Sequence, residues 1–176
     1  RRDWHEYGIT VRRHFDSGSL AFEWSHANRF ALNDDAYALD GYLDLWARAY
    51  VNIRYQVAPR HRLYPELAYR AELFQGVGEG WELSCSFDHM EFGQNDVDMY
   101  GPALGLYRGN WYLRWKTLII PATARTGVSH RALARWYFLG NADDYFEVNG
   151  GFGRGGEYRR HSTIVETTRS SAVGVV

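Results

Sequence analysis

The stretch Trp81-Glu82-Leu83-Ser84-Cys85-Ser86-Phe87-Asp88 decides the fold. Trp81, Leu83, Cys85 and Phe87 fall on one face of an extended chain, and Glu82, Ser84, Ser86 and Asp88 fall on the other. A period of two is what a β-strand imposes, because successive side chains leave opposite faces of the pleat. The segment Asn110 to Ile119 repeats it. Trp111, Leu113, Trp115, Thr117 and Ile119 share a face, against Tyr112, Arg114 and Lys116. From Leu43 to Val57 the odd positions are apolar throughout, which reads as one long strand or as two joined by a short turn near Arg48.

The same pattern extends in both directions. Tyr7, Ile9 and Val11 oppose Glu6 and Arg12, and Leu20, Phe22 and Trp24 oppose Glu23 and Ser25. Leu67 to Leu73, Leu104 to Tyr107, Ala132 to Phe138 and Phe146 to Phe152 follow suit. Tight turns are predicted at Asp16–Ser19, Gly76–Gly80, Arg108–Asn110 and Gly140–Asp144, where Gly, Asn, Asp and Ser cluster. Longer loops are predicted at Ala31–Asp40, Ala58–Pro65, Gly93–Asp98 and Pro121–Gly127. Ten or eleven strands result, with short and long connections alternating, as in porin-type barrels. There is no helix-period segment, low-complexity tract or linker, so residues 1–176 read as a single β-barrel domain.

Composition narrows the class. Aromatics are 16% of the 176 residues, with 7 Trp, 13 Tyr and 9 Phe, more than a core of this size readily holds. Mean hydropathy is −0.46, and no window approaches the roughly 18 uninterrupted apolar residues of a membrane helix. Strands that cross a membrane escape that test, since every second residue is polar. The net charge of −1 offers no basis for nucleic-acid binding. Cys85 is the one cysteine, so no internal disulfide forms. The start, Arg1-Arg2-Asp3, is not followed by the apolar stretch of an export signal, so an exported protein is expected here in mature or shortened form.

The choice is then which face points inward. A soluble lipocalin-like ligand-binding barrel puts the apolar face inside. A membrane barrel puts it outside and pairs charges of both signs within. Here nearly every strand carries Glu, Asp or Arg on the polar face, while Trp24, Trp81, Trp111, Trp115 and Trp136 ride on the apolar one. Trp near strand ends is the mark of an interfacial belt. The reading is therefore all-β: an antiparallel transmembrane β-barrel of the outer-membrane type.

Leu63 to Gly156 resembles the YaiO family of outer-membrane β-barrel proteins. The resemblance rests on Gly105-Leu106-Tyr107-Arg108-Gly109-Asn110-Trp111-Tyr112-Leu113 and on Arg135-Trp136-Tyr137-Phe138-Leu139-Gly140-Asn141-Ala142-Asp143-Asp144-Tyr145. Trp81-Glu82-Leu83-Ser84, Gly127-Val128-Ser129-His130-Arg131 and Gly150 to Gly153 support it, and the first 60 residues match more loosely. It implies a bacterial outer-membrane location, no enzymatic activity and no cofactor. The implied role is a passive envelope component, a conduit or accessory for polysaccharide export. The implied partners are outer-membrane lipid, other envelope proteins and anionic polysaccharide. Such barrels usually continue for more strands and end on an aromatic residue. Gly174 to Val176 reads as the start of a strand, so the barrel is expected to be incomplete in this chain, with more chain or another polypeptide meeting Tyr7–Val11.

Other motifs carry less chemistry. Gly151-Phe152-Gly153-Arg154-Gly155-Gly156 has dinucleotide-fingerprint spacing but opens no apolar helix, so it reads as a strand-end turn. Asp88 faces away from His89 and Glu91, so no metal site is expected. Ser129-His130 invites comparison with outer-membrane lipid-modifying enzymes, although adjacent strand residues point to opposite faces. The basic run is the candidate site. Parity places Arg114, Lys116, Arg131 and Arg135 inward on neighbouring strands. There they either pair with Glu82, Asp88 and Glu147 or form a cationic stripe for anionic solutes.

Overall fold

Eleven strands follow one another in a meander, β1 to β11 in chain order, each hydrogen-bonded to its chain neighbours. The computed structural model describes residues 5–93, 95–122, 126–138, 144–158 and 165–175. The strands are β1 (His5–Phe15), β2 (Gly18–Arg29), β3 (Leu32–Trp46), β4 (Ala49–Val57), β5 (Leu67–Val77), β6 (Trp81–Phe92), β7 (Asn95–Arg108), β8 (Trp111–Ile120), β9 (Gly127–Tyr137), β10 (Tyr145–Tyr158) and β11 (Val165–Val175). The described residues form no helix. Every strand reaches or exceeds the roughly 9–11 residues needed to cross a bilayer. The chain divides into two compact units, Arg1–Leu73 with Ser86–Asp98, and Phe74–Cys85 with Met99–Val176.

Burial is inverted relative to a water-soluble protein. In the first unit, Asp34 and Asn52 are 0% and 1% exposed, whereas Ile9, Leu39 and Ile53 are half exposed or more. In the second, Glu82, Tyr112 and Glu147 are buried while Trp111, Leu113 and Trp136 lie open. Isolated exposed apolar residues need no explanation, but a predominantly apolar face opposite buried acids does. The alternation read from Trp81–Asp88 is the same inversion: Trp81 and Leu83 are exposed, Glu82 and Ser86 buried. Cys85 is exposed on the apolar face, as a wall residue.

Several boundaries differ from the sequence reading. Ala31–Asp40 is not a loop: β3 begins at Leu32, and Phe30 and Ala31 make a two-residue turn with φ of 56° and 64°. Left-handed conformations at both positions define a type I′ hairpin, normally signalled by Asn-Gly, and two apolar residues gave no such signal. Gly93–Asp98 is likewise mostly strand, since β7 starts at Asn95. Between β3 and β4 a turn does occur at Ala47–Arg48, with Arg48 at φ 61°. The Gly-rich run 151–156 lies inside β10 rather than at a turn. The last strand spans Val165–Val175 and pairs with β10, so it starts well before Gly174. Among the described residues β1 has β2 as its neighbour and is not beside β11. Residues 140–143 of the predicted Gly140–Asp144 turn fall outside the described residues.

Candidate functional site

The second unit brings the predicted basic residues onto one face. Antiparallel partners directly opposite one another share a face. Tyr112 lies opposite Arg135, Arg114 opposite Leu133, and Lys116 opposite Arg131. The next strand continues the rows, with Glu147 against Arg135, Asn149 against Leu133 and Gly151 against Arg131. Arg114, Lys116, Arg131 and Arg135 thus all project from the face that carries the buried acids.

Their surroundings differ. Arg135 donates through Nε and Nη2 to Glu147 Oε2 at 2.9 and 2.7 Å, and through Nη1 to the Tyr137 hydroxyl at 3.3 Å. Its guanidinium also lies 4.1 Å from the Tyr145 ring centre. Arg135 and Glu147 thus form one of the expected charge pairs. Glu82 accepts a 2.8 Å hydrogen bond from the Tyr112 hydroxyl. Arg114 donates to Ser84 Oγ at 3.1 Å and lies 5.2 Å from the Phe74 ring centre. Arg131 is exposed, and its stem passes over Gly151, where an added Cβ would meet Arg131 Cγ at 3.4 Å. Lys116 and Arg131 face one another directly, so two cations meet across β8 and β9. Asp88, in the other unit, accepts from Ser86 Oγ at 3.0 Å.

The first unit holds a polar cluster that sequence reasoning missed. Buried Asp40 has Arg12 Nη2 at 3.8 Å and Arg70 Nη2 at 3.5 Å. Asn52 Nδ2 donates to both Asp40 oxygens at 3.3 Å, and Arg70 Nη2 donates to Asn52 Oδ1 at 2.8 Å. Arg54 pairs with Glu23 beside it. The signal was present: Asp34, Ala36, Ala38 and Asp40 alternate with Tyr37, Leu39 and Leu43. Alanine on the inner face disguised the polar side as apolar.

Asp34 has a separate task. Its Oδ2 accepts the backbone N–H groups of Arg62, Leu63 and Tyr64 at 2.8, 2.9 and 3.0 Å, tying down the 58–66 connection. That loop is held again where the Tyr64 hydroxyl donates to Glu6 Oε1 at 3.1 Å. Burial, together with the hydrogen bond to Glu6, pushes the Tyr64 phenol up to about 12.

Ser129 and His130 point to opposite faces, as parity requires. Ser129 pairs across with Leu118, and His130 with Thr117 on the apolar side, so they form no nucleophile–base pair. His89 sits on the apolar side with Glu91, its Nδ1 2.7 Å from Asp98 Oδ1. No group of three or more metal-ligating side chains occurs among the described residues.

Aromatic residues mark one rim of the second unit. Trp81 opens β6, Trp111 opens β8, and Trp136 is the penultimate residue of β9. Trp111 and Trp136 stack with ring centres 6.2 Å apart, and Phe138 lies 5.9 Å from Trp136. Amphipathic indoles placed at strand ends sit at the headgroup level of a bilayer.

An apolar outward face, acids and arginines beneath it and a Trp rim define an integral membrane β-barrel. The chain matches the YaiO membrane beta barrel domain over residues 1–157, and it belongs to that family. Its location is the bacterial outer membrane. The match includes the first 60 residues, where the motif resemblance was looser. No curated protein and no solved structure matches the chain.

Proposed function

We propose that the protein is a passive, non-enzymatic envelope component that serves as a conduit or accessory for anionic polysaccharide export, alongside other envelope proteins. The observation that carries this reading is the shared inner face of Arg114, Lys116, Arg131 and Arg135, with Lys116 and Arg131 directly opposed. Two facing cations repel, and an anion placed between them relieves that repulsion while leaving its own charge partly hydrated. The Arg135–Glu147 pair contributes little net charge, and Arg131 is exposed on this face, so the Lys116–Arg131 row is where solute is expected to meet the stripe. On the same face Tyr107 is exposed and stacks 4.3 Å from buried Tyr112, and its ring offers a flat surface of the kind sugars lie against.

The test is electrical and chemical. Reconstituted in a planar bilayer, the protein is expected to show anion-preferring conductance, or block by uronic-acid oligosaccharides. Lys116→Ser combined with Arg131→Ser is expected to abolish the preference. Unchanged selectivity and unchanged block in that double variant would overturn the reading.

A further inference from the structure

We propose that the outer wall of the Phe74–Cys85 and Met99–Val176 unit binds one molecule of the phosphorylated, multiply acylated glycolipid of the outer leaflet. The site has three levels. The lowest is an open apolar groove of about 560 Å³, lined by Leu104, Leu113, Trp115, Ala132, Ala134 and Gly150 among others. Small residues form its floor: Ala132 lies between Trp115 and Gly150, and Ala134 between Leu113 and Val148. A strip of small side chains flanked by large ones leaves a channel that an acyl chain fills.

The middle level is polar. One row beyond Trp115, Ala132 and Gly150 come Thr117, His130 and Phe152. His130 Nδ1 is 3.0 Å from Thr117 Oγ1. Its ring sits 5.5 Å from that of Trp115 and 5.2 Å from that of Phe152. An ionisable side chain on a wall facing hydrocarbon is costly, and marks a function when it is kept. Thr117 takes Nδ1, and Nε2 engages no described residue. In an otherwise apolar setting the acceptor available to Nε2 is an ester or hydroxyl oxygen of a lipid.

The upper level is cationic. One further row out, about 7 Å along the strand, Arg154 pairs across with Val128 and is exposed on the same face. Tail groove, hydrogen-bond donor and guanidinium thus occur in the order of acyl chain, ester and phosphate in a lipid. That charge and polarity gradient is what selects a lipid over a second protein surface, which would present no such order. β8 has 10 residues, about the number that spans the membrane, so Thr117, its seventh residue, lies inside the hydrocarbon near the end carrying the 121–126 connection. That connection and 159–164 have six residues each, against three at 78–80, two at Gly109–Asn110 and seven at 138–144 on the opposite end, so the longer connections on average lie at this end. Longer connections face outward in outer-membrane barrels, and this assigns the site to the outer leaflet.

The experiment is native mass spectrometry on the whole chain, purified in detergent and offered either lipid A or phosphatidylglycerol. One lipid A per chain is expected to survive desolvation, in preference to phosphatidylglycerol. Ala132→Leu with Ala134→Leu fills the groove and is expected to abolish retention. Arg154→Gln is expected to lower the affinity about fivefold, the loss of about 1 kcal/mol for one basic residue at an anionic surface, and Arg154→Lys to restore most of it. His130→Leu is expected to reduce retention without altering heat-modifiable migration on gels, which reports folding. If the groove variant does not fold, the Arg154 and His130 variants carry the test. Equal retention by all variants, or a phosphatidylglycerol count matching that of lipid A, would overturn the proposal.

Discussion

Ala132 and Arg131 are adjacent in β9 and project from opposite faces, so a pair of substitutions at these positions measures which face meets lipid. Ala132 lies four residues from Trp136, which marks the rim. Four residues span about 13 Å of strand, and a tilt of about 40° turns that into roughly 10 Å of depth, close to the midplane of an apolar band about 25 Å tall. Arginine at the midplane of a lipid-facing wall costs about 2–4 kcal/mol, so Ala132→Arg is expected to lose that much. Leu113, two residues from Trp111, lies about half as deep, and Leu113→Arg is expected to cost about 1–2 kcal/mol. Arg131→Leu alters an exposed inner residue, with an expected effect within about 0.5 kcal/mol. The assay is reversible guanidinium unfolding into lipid vesicles followed by tryptophan fluorescence. Arg131→Leu more damaging than Ala132→Arg would refute the assignment of faces.

Other outcomes follow from the same geometry. In a Cys85→Ala background, cysteine at Asn95 is expected to react with an impermeant maleimide in intact cells and cysteine at Asn110 is not; the reverse pattern inverts the topology. Asp34→Ala removes the acceptor of three backbone N–H groups at about 1–3 kcal/mol of local stability, and is expected to speed proteolysis within residues 58–66 while the strands stay protected. Because the Tyr64 phenol is raised to about 12 from an unfolded value near 10, its contribution is present below pH 10. It is lost as pH rises through 12, so loop protection should fall in that window, and Tyr64→Phe should flatten the change. Glu147→Gln leaves Arg135 without its carboxylate, and a double-mutant cycle with Arg135→Met should give a coupling of about 1–3 kcal/mol, since Glu147 is buried; a coupling near zero would mean the pair is solvated and weak.

Much of this architecture is written locally in the chain. Period-two patterning at Trp81–Asp88 and Trp111–Ile119 is a property of neighbouring residues, and the pleat converts it directly into two faces. The inner position of Arg114, Lys116, Arg131 and Arg135 follows from the same parity, because a strand offers no third direction. Family membership was legible for a similar reason: the motif 105–113 is one hairpin, two strands and the turn between them. What escaped were features in which a residue's role depends on something distant or atypical. The Phe30–Ala31 turn carries none of the usual residues, so strand β3 was cut short and Asp40 was lost with it. Asp34 is an unremarkable acid until the 58–66 connection folds back onto it from 28 or more positions away.

Which cations are neutralised was likewise decided only by the tertiary structure. Sequence parity treats the four basic residues alike. Register does not: it sets Arg135 directly opposite Glu147 and Lys116 directly opposite Arg131, so the four basic residues meet different cross-strand neighbours. A shift of one residue between β9 and β10 would turn every side chain of β10 to the other face and remove Glu147 from Arg135 altogether. The alternation that makes a strand amphipathic is intrinsic to the backbone, whereas the choice of partner across the ladder belongs to the assembled sheet.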